Sequence, residues 1–249
     1  MTLKVIAYAH NGHTDKFGIP RQSREECPIL TRIVFEPEYS VPEALRGIEG
    51  YSHLWLIWGF SEVQSGKEQS ATEESDWSPT VRPPRLGGNK RMGVFATRSP
   101  FRPNPIGLSS VRLIGVQQSA LSHQMELIVS GADVMDGTPI YDIKPYLSFS
   151  DSHPDAQNGF AEESKNYGLK VDKSVIFRSW TEIGPKSDRD WSDEDVENWL
   201  RDVEYILSQD PRPAYQEDPS REYKMDYKGY TVTFVVKDAI VEVKKIEKI

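Results

Sequence analysis

Three clusters of side chains in this 249-residue chain have types and spacings that can do chemistry. The first is GVFATRSPFRPNPIGLSS, Gly93 to Ser110, where Arg98, Arg102 and Asn104 alternate with Pro100, Pro103 and Pro105 and no acidic residue intervenes. Proline fixes its own φ and restrains the residue before it, so the segment can be neither a helix nor a central strand. Guanidinium forks on so stiff a loop make a preorganised surface for carboxylate or phosphate oxygens. The second cluster is GIPRQS, with Pro20, Arg21 and Gln22 in a polar loop. Here arginine offers a planar donor fork and glutamine an amide able to read a base edge. The third, ADVMDGTPIYDIKPYL, gathers Asp133, Asp136, Asp142, Lys144 and Tyr146 within fourteen residues. Such carboxylates, facing the basic loop, would give one pocket both general-base and anion-binding groups. Asp136-Gly137 is equally a turn signal, and the sequence leaves both readings open.

The common nucleotide and nucleophile signatures are missing. RLGGNKRMG holds Gly87, Gly88 and Lys90 without P-loop spacing, and no G-x-G-x-x-G follows a strand, which disfavours a Rossmann site. No G-x-S-x-G elbow occurs. His10 and His13 in HNGH lack a clustered ligand set, so no metal site is expected. His53, inside SHLWLIW, reads as a satisfied core histidine, and the single cysteine, Cys27, as a small buried residue.

Charge is unevenly spread. From Arg82 to Arg112 there are seven basic residues and no acid, so a chain of net charge −8 carries +7 there and −15 elsewhere. An acidic body with one basic face binds a polyanion locally and repels it elsewhere. No apolar run is long enough for a membrane span. MTLKVIAYAH has no cationic start followed by an apolar stretch, so no secretory signal is expected, and one cysteine suits a cytoplasmic protein.

The elements that must position these clusters are mostly strands. LKVIAYAH, ILTRIVFE, RMGVFATR, IGLSSVRLIGVQQ and HQMELIVSGADV read as β-strands, and YSHLWLIWGF as a fully buried one; VPEALRGIEG is a short helix or turn. Little helical periodicity precedes residue 150, which predicts an all-β barrel or sandwich. SEVQSGKEQSATEESDWSPT is a polar surface insertion. The domain division expected is 1–152 for the β domain, 153–188 for a linker and 189–249 for a small α+β unit. In that unit Ser192 caps a helix with Val196, Trp199, Leu200, Val203, Ile206 and Leu207 on one face. The strands YTVTFVV and AIVEVKKI then flank a tight turn at Lys237-Asp238.

TVRPPRLGGNKRMGVFATRSPFRPNPIGLS, followed by DGTPIYDIKPYL, resembles the TsaA/TrmO-type tRNA methyltransferases. So do PRQ at Pro20 to Gln22, GYSHLWLI at Gly50 to Ile57, and QDPRPAYQ near the C-terminus, so the resemblance spans both domains in the bacterial two-domain form. It implies a mainly β protein, with a TsaA/TrmO-type β-barrel and a small α+β C-terminal domain. It also implies a homodimer that uses S-adenosyl-L-methionine to methylate N6 of threonylcarbamoyladenosine at position 37 of threonine tRNAs. Family cofactor positions fall on Pro20, Arg21, Gln22, Arg98, Leu108, Asp133, Val134, Met135 and Asp136. They extend to Phe60 and Ser61, where the family often has histidine as the second residue. The chemistry then needs a proton acceptor, for which Asp136, Asp142 and Tyr146 are the candidates, and Arg102, Asn104 and Lys144 would meet the substrate. The residues leave two other readings open: a non-catalytic RNA-binding barrel, and a methyltransferase for another nucleoside or a small molecule.

Overall fold

Period-two alternation organises the first half of the chain. The computed structural model describes all residues except 1, 15–16, 21, 25, 61–76, 84–89, 121, 165–167, 172–190 and 213–217. Its strands are β1 (Ala7–His10), β2 (Leu30–Phe35), β3 (His53–Gly59), the two-residue β4 (Thr80–Val81) and β5 (Met92–Gly93), β6 (Ile106–Gln118), β7 (Met125–Ser130) and β8 (Pro139–Pro145). After these come β9 (Lys170–Val171), β10 (Tyr223–Tyr227), β11 (Tyr230–Lys237) and β12 (Ile240–Lys248). Six of them close an antiparallel barrel in the order β1-β2-β7-β6-β3-β8. Closure pairs every strand on both sides and so removes sheet edges. Ala7, Ala9, Ile33, Leu54, Leu56, Val111, Leu127, Val129 and Ile140 fill its interior. Each fully buried Leu or Ile there contributes about 1.5–3 kcal/mol from apolar burial.

Three local readings are corrected. The aromatic run is a half-buried strand: Leu54, Leu56 and Trp58 point inward, while His53, Trp55 and Ile57 are only half-buried. His53 is therefore not a core histidine; its Nδ1 lies 2.9 Å from Ser52 Oγ at the barrel surface. Only Met92–Gly93 of RMGVFATR is strand, because a 3-10 turn over Val94–Ala96 takes the chain into the proline loop. VPEALRGIEG forms two 3-10 turns, Pro42–Leu45 and Ile48–Gly50. The polar insertion falls outside the described residues from 62 to 76.

The C-terminal unit packs the helix Asp193–Ser208 on a four-stranded sheet ordered β10-β11-β12-β9. Ser192 Oγ accepts from the Asp195 amide at 3.2 Å and the Asp195 carboxylate accepts from the Ser192 amide at 2.9 Å, completing a capping box. The β11–β12 hairpin turns through Asp238 and Ala239, both at positive φ (52° and 59°), the conformation that matches strand twist in a two-residue turn. β9, from the stretch read as linker, pairs in parallel with β12.

The two units share a seam. Cys27 and Ile29, which precede β2, are buried in the C-terminal core with Trp199, Ile206, Met225 and Phe234. A Cβ on Gly18, at φ +96°, would lie 2.9 Å from Met225 Sδ and 3.3 Å from Ile206 Cγ2. The Lys228 amide donates to the Gly12 carbonyl at 3.2 Å. Burial pushes the Cys27 thiol up, which suits packing and not reactivity.

His13 sits in this seam, 1 % exposed, with its ring 5.2 Å from that of Tyr227. Among the described residues its Nε2 has no hydrogen-bond partner. Asp202, across the seam, accepts from the Tyr227 hydroxyl at 2.8 Å and from Lys228 Nζ at 2.9 Å, with Arg201 Nη2 3.7 Å from its other oxygen. Burial, more than the charge of Lys228, lowers the pKa of His13 to about 4, against the attraction of Asp202. A depressed folded pKa means the unfolded chain takes up the proton first. The contribution is full above the ordinary histidine value and lost as pH falls from there towards about 4. The loss is on the order of 3 kcal/mol. Urea unfolding of His13→Gln is expected to show a shallower fall in stability between pH 7 and pH 4 than the native chain; parallel curves would remove His13 as the cause.

Candidate active site

The functional groove begins with a local rule on β6. Its sequence Gly107-Leu108-Ser109 pairs with Trp58, Ile57 and Leu56 of β3. A Cβ on Gly107 would lie 2.2 Å from the Trp58 ring, so only glycine lets that indole lie across the strand. Trp58 Nε1 donates to Ser109 Oγ at 2.8 Å, and Ser109 Oγ donates in turn to the Asp133 carboxylate. This relay fixes both the indole and the carboxylate. Burial pushes the Asp133 carboxyl above the usual carboxylate range, against the Ser109 hydroxyl, the backbone amides of Asp133 and Ser23, and the charge of Arg98.

The proline loop forms the facing wall. Thr97 Oγ1 donates to the Val94 carbonyl at 2.8 Å, the Phe101 amide to Ser99 Oγ at 3.2 Å, and the Arg102 guanidinium to the Thr97 carbonyl at 3.1 Å. These internal bonds replace the ladder that prolines forbid, and they hold the arginine stems in place. Arg98 donates to the Gln22 side-chain carbonyl, tying this wall to the PRQ loop, and Ser23 Oγ donates to the Ser110 carbonyl on β6.

Between these walls runs an open groove of about 1050 Å³. Gln22, Phe60, Arg98, Leu108 and Asp133 line it, as do Arg102, Asn104 and Tyr146. Four arginines (Arg24, Arg98, Arg102 and Arg112) and five aromatic residues (Trp55, Trp58, Phe60, Phe95 and Tyr146) give it a cationic and π-rich surface.

The other sequence candidates lie elsewhere. Val134 is buried in the barrel core. Asp136 is in a turn with Gly137 at φ +75°, where its carboxylate accepts from the Asn11 amide at 3.0 Å and lies 3.4 Å from His10 Nδ1; Met135 closes the same turn. The turn reading of Asp136-Gly137 therefore accounts for its contacts. Asp142 and Lys144 form a 3.1 Å ion pair on β8 opposite Ile57 and Trp55. Pro20 lines a small neighbouring pocket, which shares Gln22 and Arg24 with the groove, together with Ile206, Gln209, Asp210 and Pro211 of the C-terminal unit. Arg21 and Ser61 lie outside the described residues. Sequence reasoning missed Trp55, Trp58, Ser109 and Arg112; alternation along β3 and β6 carried the signal. Among the described residues no group of three or more His, Cys, Asp or Glu is arranged to hold a metal ion.

A closed antiparallel barrel with a cationic, aromatic groove and a half-buried carboxylate in its wall defines a class of barrel distinct from Rossmann and P-loop proteins. Within that class, the chain belongs to the tRNA-methyltransferase O family: the model of the family's N-terminal domain matches residues 8–152 and that of its C-terminal domain residues 174–249. It is 36% identical over 252 residues to the tRNA (adenine(37)-N6)-methyltransferase of Escherichia coli strain K12, covering 97% of this chain and 96% of that one. It is 37% identical to the Pseudomonas aeruginosa putative S-adenosylmethionine-dependent methyltransferase RcsF, over 88% of this chain and 85% of the other. The crystal structure of TrmO from Pseudomonas aeruginosa superposes with a TM-score of 0.69 at 29% identity, covering 99% and 98% of the two chains.

Proposed function

We propose that this protein is an S-adenosylmethionine-dependent tRNA methyltransferase that methylates N6 of threonylcarbamoyladenosine at position 37 of threonine tRNAs, acting as a homodimer in the cytoplasm. The observation that carries the reading is the half-buried Asp133 carboxylate, which lines one aromatic groove together with Arg98 and feels its charge. That donor set fits the cofactor: a carboxylate for its cationic groups, a guanidinium for its carboxylate, and Phe60 and Leu108 for its purine. Bound there, S-adenosylmethionine supplies an activated methyl group on its sulfonium. Gln22, Phe60, Arg98, Leu108 and Asp133 would hold it.

The chain's remaining work is alignment and proton removal. Rigid placement of two reactants contributes roughly 7–11 kcal/mol in well-aligned cases, and the braced proline loop suits that task. N6 of the modified adenosine is a weak nucleophile, because its lone pair is delocalised into the purine and the carbamoyl group. Of the three candidate acceptors, Tyr146 lines the groove, whereas Asp136 is occupied by Asn11 and His10 and Asp142 by Lys144. Arg102 and Asn104 are available for the threonyl carboxylate or backbone phosphates, since planar forks match such oxyanions. Phe95 and Phe101, 71 % and 60 % exposed beside the groove, supply apolar surface for a second subunit.

Mass spectrometry of nucleosides from threonine tRNA incubated with enzyme and cofactor tests the reading. One added methyl on threonylcarbamoyladenosine is expected, and sedimentation of the same preparation at twice the 28.4 kDa chain mass. No gain on fully modified tRNA overturns the activity; saturable tRNA binding without cofactor binding would make the barrel an RNA-binding module. Sedimentation at the chain mass itself overturns the dimer.

A further inference from the structure

Two tryptophans three residues apart on β3 point to opposite sides of the barrel wall. Trp58 enters the core and is 6 % exposed, as a large apolar side chain should. Trp55 is turned outward into the groove, and its indole is held there: Nε1 donates to Asp151 Oδ2 at 2.8 Å. Asp151 is itself held, its Oδ2 accepting from the Leu147 amide at 3.0 Å. Both bonds keep the Asp151 carboxyl below the usual carboxylate range. The Tyr146 ring stands 5.5 Å from that of Trp55 at 52°, and His53 stands edge-on to Tyr146 at 6.2 Å. Strand register adds the cations: Trp55 faces Ser110 on β6 and Lys144 on β8, and His53 faces Arg112.

We propose that Trp55 is a stacking platform for an unpaired nucleobase of the RNA substrate, with Arg112 and Lys144 receiving the flanking phosphates and Asp151 acting as a positioning residue for the indole. The inference rests on the RNA-methylating reading and deepens it by assigning a base subsite separate from the methyl-donor residues. Single-stranded RNA is gripped by stacking on aromatic faces and by cations along its backbone, and this patch combines the two. The nearby carboxylates do not repel the strand's charge in full, because the indole and an amide both donate to Asp151 and Asp142 is already paired with Lys144. A tethered indole also loses little rotamer freedom on binding, so more of the stacking energy is realised as affinity.

The test uses the full chain and a fluorescent anticodon stem–loop RNA, with affinity measured by anisotropy over a salt series. Trp55→Leu is expected to weaken binding about 5- to 150-fold at unchanged salt slope, since a base contact and no phosphate contact is lost. Trp55→Phe, which keeps a π-face, is expected to retain most of the affinity. Arg112→Ala and Lys144→Ala should each lower the salt slope by about 1. Asp151→Ala should raise KM for RNA with KM for the methyl donor unchanged, and cause no further loss in a Trp55→Leu background. Wild-type affinity in Trp55→Leu overturns the proposal, as does an equal loss in Trp55→Phe. Should Trp55→Leu fail to fold, Asp151→Ala reads the same subsite with the indole present, and an unchanged KM for RNA overturns it. A native chain that binds the stem–loop yet transfers no methyl to modified tRNA overturns the activity alone, and a methylating native chain with an unaffected Trp55→Leu overturns the platform alone.

Discussion

Gly131→Val is expected to destabilise the chain by on the order of 3 kcal/mol and to disable the groove at the same time. Gly131 leaves β7 at φ +85°, a left-handed conformation that costs a side-chain-bearing residue about 1–2 kcal/mol. A Cβ there would stand 2.6 Å from the Arg24 carbonyl oxygen, a backbone atom that cannot rotate away. Displacing that backbone adds a cost of about 1–3 kcal/mol, typical of overpacking. The same carbonyl accepts from the Cys27 amide at 3.2 Å, so the turn that carries Gln22, Ser23 and Arg24 must move with it. Urea or thermal denaturation reads the first effect, expected as a drop of roughly 6–12 °C in Tm for a chain of this size. Calorimetric titration with S-adenosylmethionine reads the second, expected as loss of saturable binding. A variant that melts like the native chain would mean that Arg24 and the loop around it yield freely.

Asp133→Asn is expected to separate stability from function. The Asp133 carboxyl has a raised folded pKa, so its contribution to stability is present at low pH and is lost as pH rises through that value. At neutral pH the native state therefore carries a desolvation cost that asparagine removes, and the variant should melt no lower than the native chain. Asparagine can still accept from Ser109 but cannot answer a cationic ligand, so the Kd for S-adenosylmethionine should rise roughly 10- to 150-fold. In the native enzyme, affinity should also fall as the medium is acidified through the raised pKa, and the variant should lose that dependence. Loss confined to kcat, with cofactor affinity intact, would make Asp133 the proton acceptor and not an anchor. A lower Tm at neutral pH would contradict the burial argument.

Much of this arrangement was legible in the residues, and the failures have physical causes. An all-β barrel or sandwich followed from β-branched runs at short spacing, with the family resemblance selecting the barrel, and the capped C-terminal helix followed from Ser192 and its three- and four-residue apolar period. Arg98, Arg102 and Asn104 stood out because prolines around arginines are incompatible with regular structure. The alternation of β3 was hidden because its outward side chains, Trp55 and Ile57, are as apolar as its inward ones; only their partners on β6 and β8 reveal the face. Asp133 and Asp136 are chemically alike and three residues apart. What separates them is the backbone, left-handed at Gly131 and Gly137, which sends one carboxylate to Ser109 and the other to Asn11. Cys27 and Ile29 gave no local sign that their packing partners lie in the last quarter of the chain.

That seam has a consequence for the order in which the protein can be made. Residues 10–29 are synthesised before the barrel is complete, yet Phe17, Cys27 and Ile29 find their final neighbours only after Trp199 and the strands that follow have left the ribosome. The barrel wall can close early, but the loop carrying Gln22 must wait for the far end of the polypeptide. The small C-terminal unit is thus the last packing partner of that loop to be delivered, and a nascent chain is without one finished wall of the groove until translation is nearly over.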